Sequence, residues 1–127
     1  AKRVEGHFSQ MGVLACAGEI TTTGNAMLKL LSALTGESGV LPSAIEEAVK
    51  PLMPLNAEDQ IAYAVEVQPE TTSGPIYKKA GATAGGFSSY LAFRRSPQVG
   101  VMVMSNCGGF TPKTLALAVL AELMIAP

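Results

Sequence analysis

The stretch that decides the fold of this 127-residue chain covers residues 77–106 and reads YKKAGATAGGFSSYLAFRRSPQVGVMVMSN. Short segments of aromatic, apolar and β-branched residues alternate in it with turn-forming residues, a pattern typical of consecutive β-strands. It predicts strands over residues 75–80, 86–94 and 98–105, with a hairpin connection at residues 94–98. Because these connections are short, we expect the strands to pair antiparallel.

A fourth strand and two helices are predicted upstream of this stretch. Apolar residues alternate with smaller or polar ones over residues 61–67, which predicts a strand with one buried face. Apolar residues at helical spacing predict a helix that is capped by Thr22 or Thr23 and ended by Gly36. A second, short helix is predicted over residues 42–49, with proline at its first position.

The C-terminal segment predicts the longest helix. Thr111 and Pro112 form a helix start, and residues 115–125 are apolar nearly all round, so we expect this helix to be packed on more than one side. The chain is long enough for one domain, residues 1–127. The expected fold class is α+β, an antiparallel sheet packed against a long C-terminal helix.

Composition excludes several classes of protein. Charged residues make up 15% of the chain, against about 25% in an average soluble domain, and hydrophobic residues 48%. Nine Lys and Arg residues against ten Asp and Glu residues leave no basic excess for binding nucleic acid. No run of 18 apolar residues is present, so we expect no membrane span.

Cysteine and histidine are too few for a metal site of the usual kind. The chain has one histidine and two cysteines, Cys16 and Cys107, without a Cys-x-x-Cys or His/Cys ligand spacing. We expect two free thiols, although one internal bridge remains open as an alternative. No metal or other cofactor is expected.

Residues 77–93 and 99–106, in order and spacing, resemble three strands of class C β-lactamases and the related penicillin-binding-protein-like serine hydrolases. These are the Lys-Thr-Gly strand with its glycine turn, the Gly-Phe-x-Ser-Tyr strand and the Val-x-Val-x-x-Asn strand. Residues 17–27 are similar to that family's Ala-Gly-Gly-Leu-x-Ser-Thr-x-x-Asp-Leu segment. The resemblance covers nearly the whole chain and implies a partial β-lactamase/transpeptidase-like fold.

The resemblance also implies a site at the Lys-Thr-Gly position. Lys79 is the expected catalytic cation, which holds a substrate carboxylate or sharpens the field around a nucleophile. Ala82 is the expected backbone N–H donor to the oxyanion, and Ala80, Gly81 and Thr83 are the expected substrate-binding residues. The chain departs from the family pattern in two ways: Ala80 replaces a hydroxyl residue, and one residue is inserted around positions 84–86.

The family's other catalytic motifs are missing. No serine here is followed three residues later by lysine, as the nucleophile motif Ser-x-x-Lys requires, and no tyrosine is followed by x-Asn. The chain is therefore interpreted as the C-terminal segment of a serine hydrolase acting on a β-lactam, an ester or a D-amino-acid amide, and it is expected to be inactive alone. The alternative is a non-catalytic binding or assembly module that keeps the hydrolase scaffold.

A sheet without its opening strands leaves an edge and an apolar face to be covered. Three arrangements follow: the missing N-terminal catalytic half is a second chain, copies of this chain cover one another as a homo-oligomer, or the chain has repacked into a self-sufficient domain. Besides these partners we expect a small acyl substrate. By resemblance the protein is periplasmic or secreted, while the sequence itself leaves the cytoplasm open.

Overall fold

The structure is a computed structural model, and it describes residues 12, 18, 20–69, 71–83, 86–107 and 110–125. Cys16 lies outside these residues, as do Ala17 and Glu19 of the segment that carries the upstream resemblance and Ala84 and Gly85 at the expected insertion. The expectations placed on them stay predictions.

The described residues form an antiparallel sheet with helices on both faces. The helices are α1 (Gly24–Thr35), α2 (Pro42–Val49) and α3 (Pro112–Ile125). The strands are β1 (Met53–Pro54), β2 (Gln60–Ile61), β3 (Glu66–Gln68), β4 (Ile76–Ala82), β5 (Ser88–Arg95) and β6 (Gln98–Ser105). In the sheet they lie in chain order, each antiparallel to the next. The α+β class and the C-terminal helix are confirmed.

Helix α1 begins and ends where its capping residues predict. The side-chain oxygen of Thr23 accepts a hydrogen bond from the N–H of Ala26 at 3.2 Å, which satisfies one backbone donor that the first turn leaves unpaired. Gly36 follows the last turn in the left-handed region, at a φ of 87°, where a residue without a Cβ is favoured. Of the two threonines considered, Thr23 is the cap.

The predicted strand over residues 61–67 is wrong as a single strand. The chain turns inside it, and the N–H of Ala62 donates to the carbonyl of Val65 at 2.8 Å, so that β2 and β3 are two arms of a hairpin. Tyr63 lies in the turn with 71% of its surface exposed, whereas Ala62 and Val65 are buried. Alternation along the chain did not reveal this turn because its residues carry no glycine, proline or asparagine.

The sheet separates two apolar clusters. On one face, side chains of β3, β5 and α1 surround Phe93, which is fully buried. On the other face Tyr90 and Ala92 pack against Ala116 and Leu120 of α3. Strand β5 supplies both clusters because successive side chains of a strand point to opposite faces.

Helix α3 is packed on one side, so the expectation of packing on more than one side is wrong for the described residues. Its buried residues are Pro112, Ala116 and Leu120. Leu115, Val119, Leu123 and Ile125 are exposed apolar residues of the same helix. The apolar surface that the sequence assigned to an interior therefore faces outward.

Candidate functional site

The expected site residues lie together at the C-terminal end of β4. Lys79, Ala80, Gly81 and Ala82 belong to that strand, and Thr83 follows it directly. All five are exposed. Pairing with β5 sets their register, with Lys79 opposite Leu91 and Gly81 opposite Ser89.

Lys79 and Gly81 lie on the same face of the sheet as α1, which packs on the side chains around Phe93. Tyr77 marks this face, because its ring stacks on Phe93 at a centroid distance of 5.0 Å, and Tyr77 packs with the α1 cluster. Residues two apart in a strand share a face, so the side chain of Lys79 lies on the same side. A Cβ at Gly81 would come within 2.7 Å of the Ser89 hydroxyl oxygen, so glycine at this position keeps the strand surface flat and open.

The backbone N–H of Ala82 points to an open edge of the sheet. The N–H of Thr83 donates to the carbonyl of Phe87 at 2.9 Å, across the turn toward β5. Successive N–H groups of a strand point to opposite sides, so that of Ala82 points away from β5. On that side the pairing of β3 with β4 ends at Glu66 and Lys78, and no other described strand continues it. The Ala82 N–H is thus available to an external acceptor.

The two adjacent lysines have different surroundings. Lys78 is buried on the α3 side, and its ammonium lies 2.7 Å from a carboxylate oxygen of Asp59. Burial by itself raises the pKa of Asp59, but hydrogen bonds from Lys78 and Asn56, with the charges of Lys78 and Lys113, hold that pKa below its ordinary value. Lys79 forms no ion pair with any described residue. Of these two lysines, Lys79 is the one whose charge no described carboxylate balances.

Ala80 and Thr83 are placed differently from Lys79 and Gly81. Ala80 alternates with Lys79 and so lies on the α3 face, beside Tyr90 of the neighbouring strand. The Thr83 hydroxyl oxygen accepts from the N–H of Phe87 at 3.4 Å and is used by the turn. For substrate binding, Gly81 and the backbone of this strand are better placed than these two side chains.

A cleft of about 520 Å³ lies elsewhere, between α2 and the strands. It is lined by α2 residues, among them Glu46, and by Tyr77 and Arg95, and neither Lys79 nor Ala82 borders it. Arg95 lies 2.6 Å from Glu46, and its hydrogen bond and charge lower the pKa of that carboxyl. The expected site is therefore an open strand edge, not a closed pocket.

Sequence reasoning missed two participants in the geometry of this strand. Ser89 adjoins Gly81 through the β4–β5 register, and Asp59 holds Lys78 from a loop 19 positions earlier in the chain. The short connection between β4 and β5 was a signal for Ser89, because the length of a turn sets which residues of two antiparallel strands lie opposite each other. No local signal pointed to Asp59.

Within the described residues, no group of three or more His, Cys, Asp or Glu side chains is arranged to hold a metal ion. The part of the chain that the structure describes contains no helix of the length and apolarity needed to cross a membrane.

Comparison with known proteins gives a likeness of fold. Neither the protein-family models nor the curated protein sequences include a match to this chain. Among solved structures, the octameric penicillin-binding protein homologue from Pyrococcus abyssi is similar, with a TM-score of 0.71 and 20% sequence identity over 81% of this chain. The aligned region is 24% of that protein, so the chain spans about a quarter of its length. The chain is thus similar in fold to one part of a penicillin-binding protein homologue.

Proposed function

We propose that this chain is the C-terminal part of a β-lactamase-related serine hydrolase and that residues 79–83 form one wall of its substrate cleft. The nucleophile is carried by residues outside this sequence. The observation that carries the proposal is the combination of an unpaired Lys79 and an outward Ala82 N–H at the open edge of β4. The likeness of fold to a penicillin-binding protein homologue supports it.

The proposed chemistry is acyl transfer from a β-lactam, an ester or a D-amino-acid amide. A substrate carboxylate binds the Lys79 ammonium through a charge-assisted hydrogen bond. The acyl part lies along the edge of β4 beyond the last pairing with β3, where Gly81 leaves room for it. When the attacking hydroxyl adds to the acyl carbon, the negative charge moves to the carbonyl oxygen, and the Ala82 N–H donates to it.

This wall is incomplete as a catalytic site. An oxyanion hole generally uses two donors, and acyl transfer needs a nucleophile with a base. Neither Ser-x-x-Lys nor Tyr-x-Asn occurs in the sequence. In the proposal the second donor, the serine and the base come from the N-terminal portion of the fold, whether on another polypeptide or elsewhere on a longer one.

The proposed substrate-binding role of residues 79–83 can be tested by ligand binding to the unmodified 127-residue chain. Benzylpenicillin is titrated into the ¹⁵N-labelled protein, and amide chemical shifts are followed. We expect concentration-dependent shifts at Lys79, Gly81 and Ala82, and their loss in Lys79→Met. Lys29→Met is the matched control, because Lys29 is an exposed lysine of α1 away from the β4 edge, and it should leave the shifts unchanged. Shifts that persist in Lys79→Met, or no shifts near β4, contradict the proposal.

A second experiment tests the division of the catalytic apparatus. A fluorescent penicillin incubated with this chain alone should form no covalent adduct. Addition of a polypeptide that supplies Ser-x-x-Lys and Tyr-x-Asn should produce an adduct on its serine, at a rate reduced by Lys79→Met. Stoichiometric labelling of a serine in this chain alone contradicts the missing-nucleophile interpretation. No adduct in any mixture, together with stable self-association, favours the non-catalytic assembly module.

A further inference from the structure

The hydroxyl of Ser89 occupies the space that a side chain at position 81 would take. Gly81 and Ser89 lie opposite each other in the β4–β5 pair, and a Cβ at Gly81 would come within 2.7 Å of the Ser89 hydroxyl oxygen. Residues directly opposite each other in an antiparallel pair project to the same face of the sheet. The Ser89 hydroxyl therefore lies beside Gly81 on the face that also carries the side chain of Lys79.

The hydroxyl of Ser89 has no hydrogen-bond partner among the described residues. The neighbouring Ser88 projects to the opposite face, where its hydroxyl donates to the carbonyl of Phe110 at 3.3 Å. Both serines are half-buried. They differ in that Ser88 uses its hydroxyl within the fold, whereas the Ser89 hydroxyl keeps a donor and two acceptor positions for a ligand.

Helix α1 leaves this part of the face uncovered. Its first residue, Gly24, lies near Met104, the β6 residue opposite Ser89, because a Cβ at Gly24 would lie 3.9 Å from the Met104 Cε. Further along, Leu31 of the helix lies against Gly100 of β6. The helix thus follows β6, two strands away from β4, which leaves Lys79 exposed and Ser89 half-buried.

Lys79 and Ser89 are placed to bind one ligand group together. Position 79 is two residues from Gly81, which separates the two Cα atoms by about 6.7 Å along β4. A carboxylate that accepts a hydrogen bond of about 2.8 Å at each oxygen bridges two donors that are roughly 5–7 Å apart. The flexible stem of Lys79 adjusts its ammonium to this span, while the Ser89 hydroxyl rotates in place.

The charges near these two side chains favour an anion. Strands β4, β5 and β6 contain no acidic residue. Glu66 of β3 lies opposite Lys78 and therefore projects to the α3 face, away from Lys79. A carboxylate on the α1 face consequently meets one cation and one neutral donor, with no repulsion from an acidic side chain of these strands on its own face.

We propose that Ser89 is a further substrate-binding residue, whose hydroxyl donates to the same substrate carboxylate that Lys79 binds. This inference rests on the proposed function above and adds which group of the substrate is recognised: a carboxylate, by two side chains from neighbouring strands. Ala80 of β4 has no hydroxyl and lies on the α3 face, so the hydroxyl donor beside Gly81 comes from β5. Ser89 takes no part in the bond that is broken.

The experiment compares two ligands, benzylpenicillin and its methyl ester, by amide shifts of the ¹⁵N-labelled chain. Ser89→Ala should weaken the binding of benzylpenicillin about tenfold, as expected for the loss of a hydrogen bond to a charged group. The methyl ester lacks the anionic carboxylate, so it should bind the unmodified chain about tenfold more weakly, and Ser89→Ala should cause no further loss. Ser88→Ala is the matched control, because it removes the same hydroxyl from the other face, and it should leave both dissociation constants unchanged.

The outcomes separate this inference from the proposed function. If Lys79→Met weakens the binding of benzylpenicillin and Ser89→Ala does not, the role of Ser89 is overturned while the proposed cleft wall stands. An equal loss of binding in Ser88→Ala, or in the methyl ester with Ser89→Ala, also overturns it. An unmodified chain without shifts near β4 contradicts both proposals.

A second measurement keeps the inference testable if Ser89→Ala does not fold. The ¹³Cβ shift of Ser89 is followed in the unmodified chain during the titration with benzylpenicillin. It should change with the same dissociation constant as the amide shift of Lys79. A ¹³Cβ shift that stays constant while the Lys79 amide responds overturns the role of Ser89.

Discussion

Replacement of Asp59 by asparagine removes the charge that balances a buried lysine. The Lys78 ammonium lies 2.7 Å from the Asp59 carboxylate, and the side chains are only 9% and 12% exposed. Asparagine keeps the shape of the side chain but leaves the lysine charge buried without a counter-charge. Loss of one partner from a buried ion pair costs about 3–5 kcal/mol of unfolding free energy, and we expect a value in that range.

The same pair predicts how stability changes with pH. Burial is the largest single effect on the pKa of Asp59, and it raises that pKa. The hydrogen bonds from Lys78 and Asn56 and the charges of Lys78 and Lys113 together lower it by more, so in the folded state the pKa of Asp59 lies below its ordinary value. The folded state therefore favours the ionised carboxyl. Its contribution to stability is present above the unfolded-state pKa of Asp59 and is lost as the pH falls through the lower folded-state pKa. Asp59→Asn should lack this part of the acid dependence.

Urea denaturation followed by circular dichroism, at neutral pH and in steps down to acid, measures both effects. Asp59→Asn with Lys78→Met removes both charges and should recover most of the loss, because no charge is then left buried without a partner. Glu46→Gln is the matched control: it breaks the pair with Arg95, but the Glu46 side chain is 63% exposed, so we expect a much smaller loss of stability than for Asp59→Asn. If Asp59→Asn costs no more than Glu46→Gln, the burial argument is refuted.

Three further predictions concern the sheet. Gly100→Ala should lower the unfolding free energy by about 1–3 kcal/mol, because the new Cβ would lie 2.6 Å from Leu31 Cδ1 and 2.9 Å from the Cβ of Phe93. Thermal melting measures this loss, and an unchanged melting midpoint contradicts the close approach of α1 to β6. Phe93→Ala should cost about 3–5 kcal/mol in urea denaturation, since Phe93 is fully buried, and a cost below about 1 kcal/mol would show that the core lies elsewhere. Arg94→Met should cost about 1.5–3 kcal/mol and speed hydrogen exchange near Gly74, because the buried guanidinium donates to the Gly74 carbonyl; unchanged exchange there argues against this anchor.

Local features of the chain were predictable because they depend on residues close in sequence. Thr23 and Gly36 define the ends of α1 through their own hydrogen bond and backbone conformation. Pro42 begins α2 as predicted. The connection between β5 and β6 lies where Ser96 and Pro97 indicate a turn.

The features that were not predictable depend on contacts between distant residues. The turn within residues 61–67 carries no typical turn residue, and it forms because Ala62 and Val65 are both buried beneath the helices. The apolar residues of α3 suggested an interior position, but periodicity cannot show which flank has a neighbour. The partner of Lys78 lies in a loop whose position is decided by the packing of β2 against β3.

The residue pattern by itself determined the α+β class, the antiparallel pairing of the last three strands and the strand that carries Lys79, since each follows from spacing within one or two elements. Only the tertiary structure decided that Lys78 is buried while Lys79 has no ion-pair partner among the described residues, and that the Ala82 N–H points to an open edge. The physical reason is that burial, ion pairing and edge exposure are properties of neighbours in space, and those neighbours come from positions far apart in the chain.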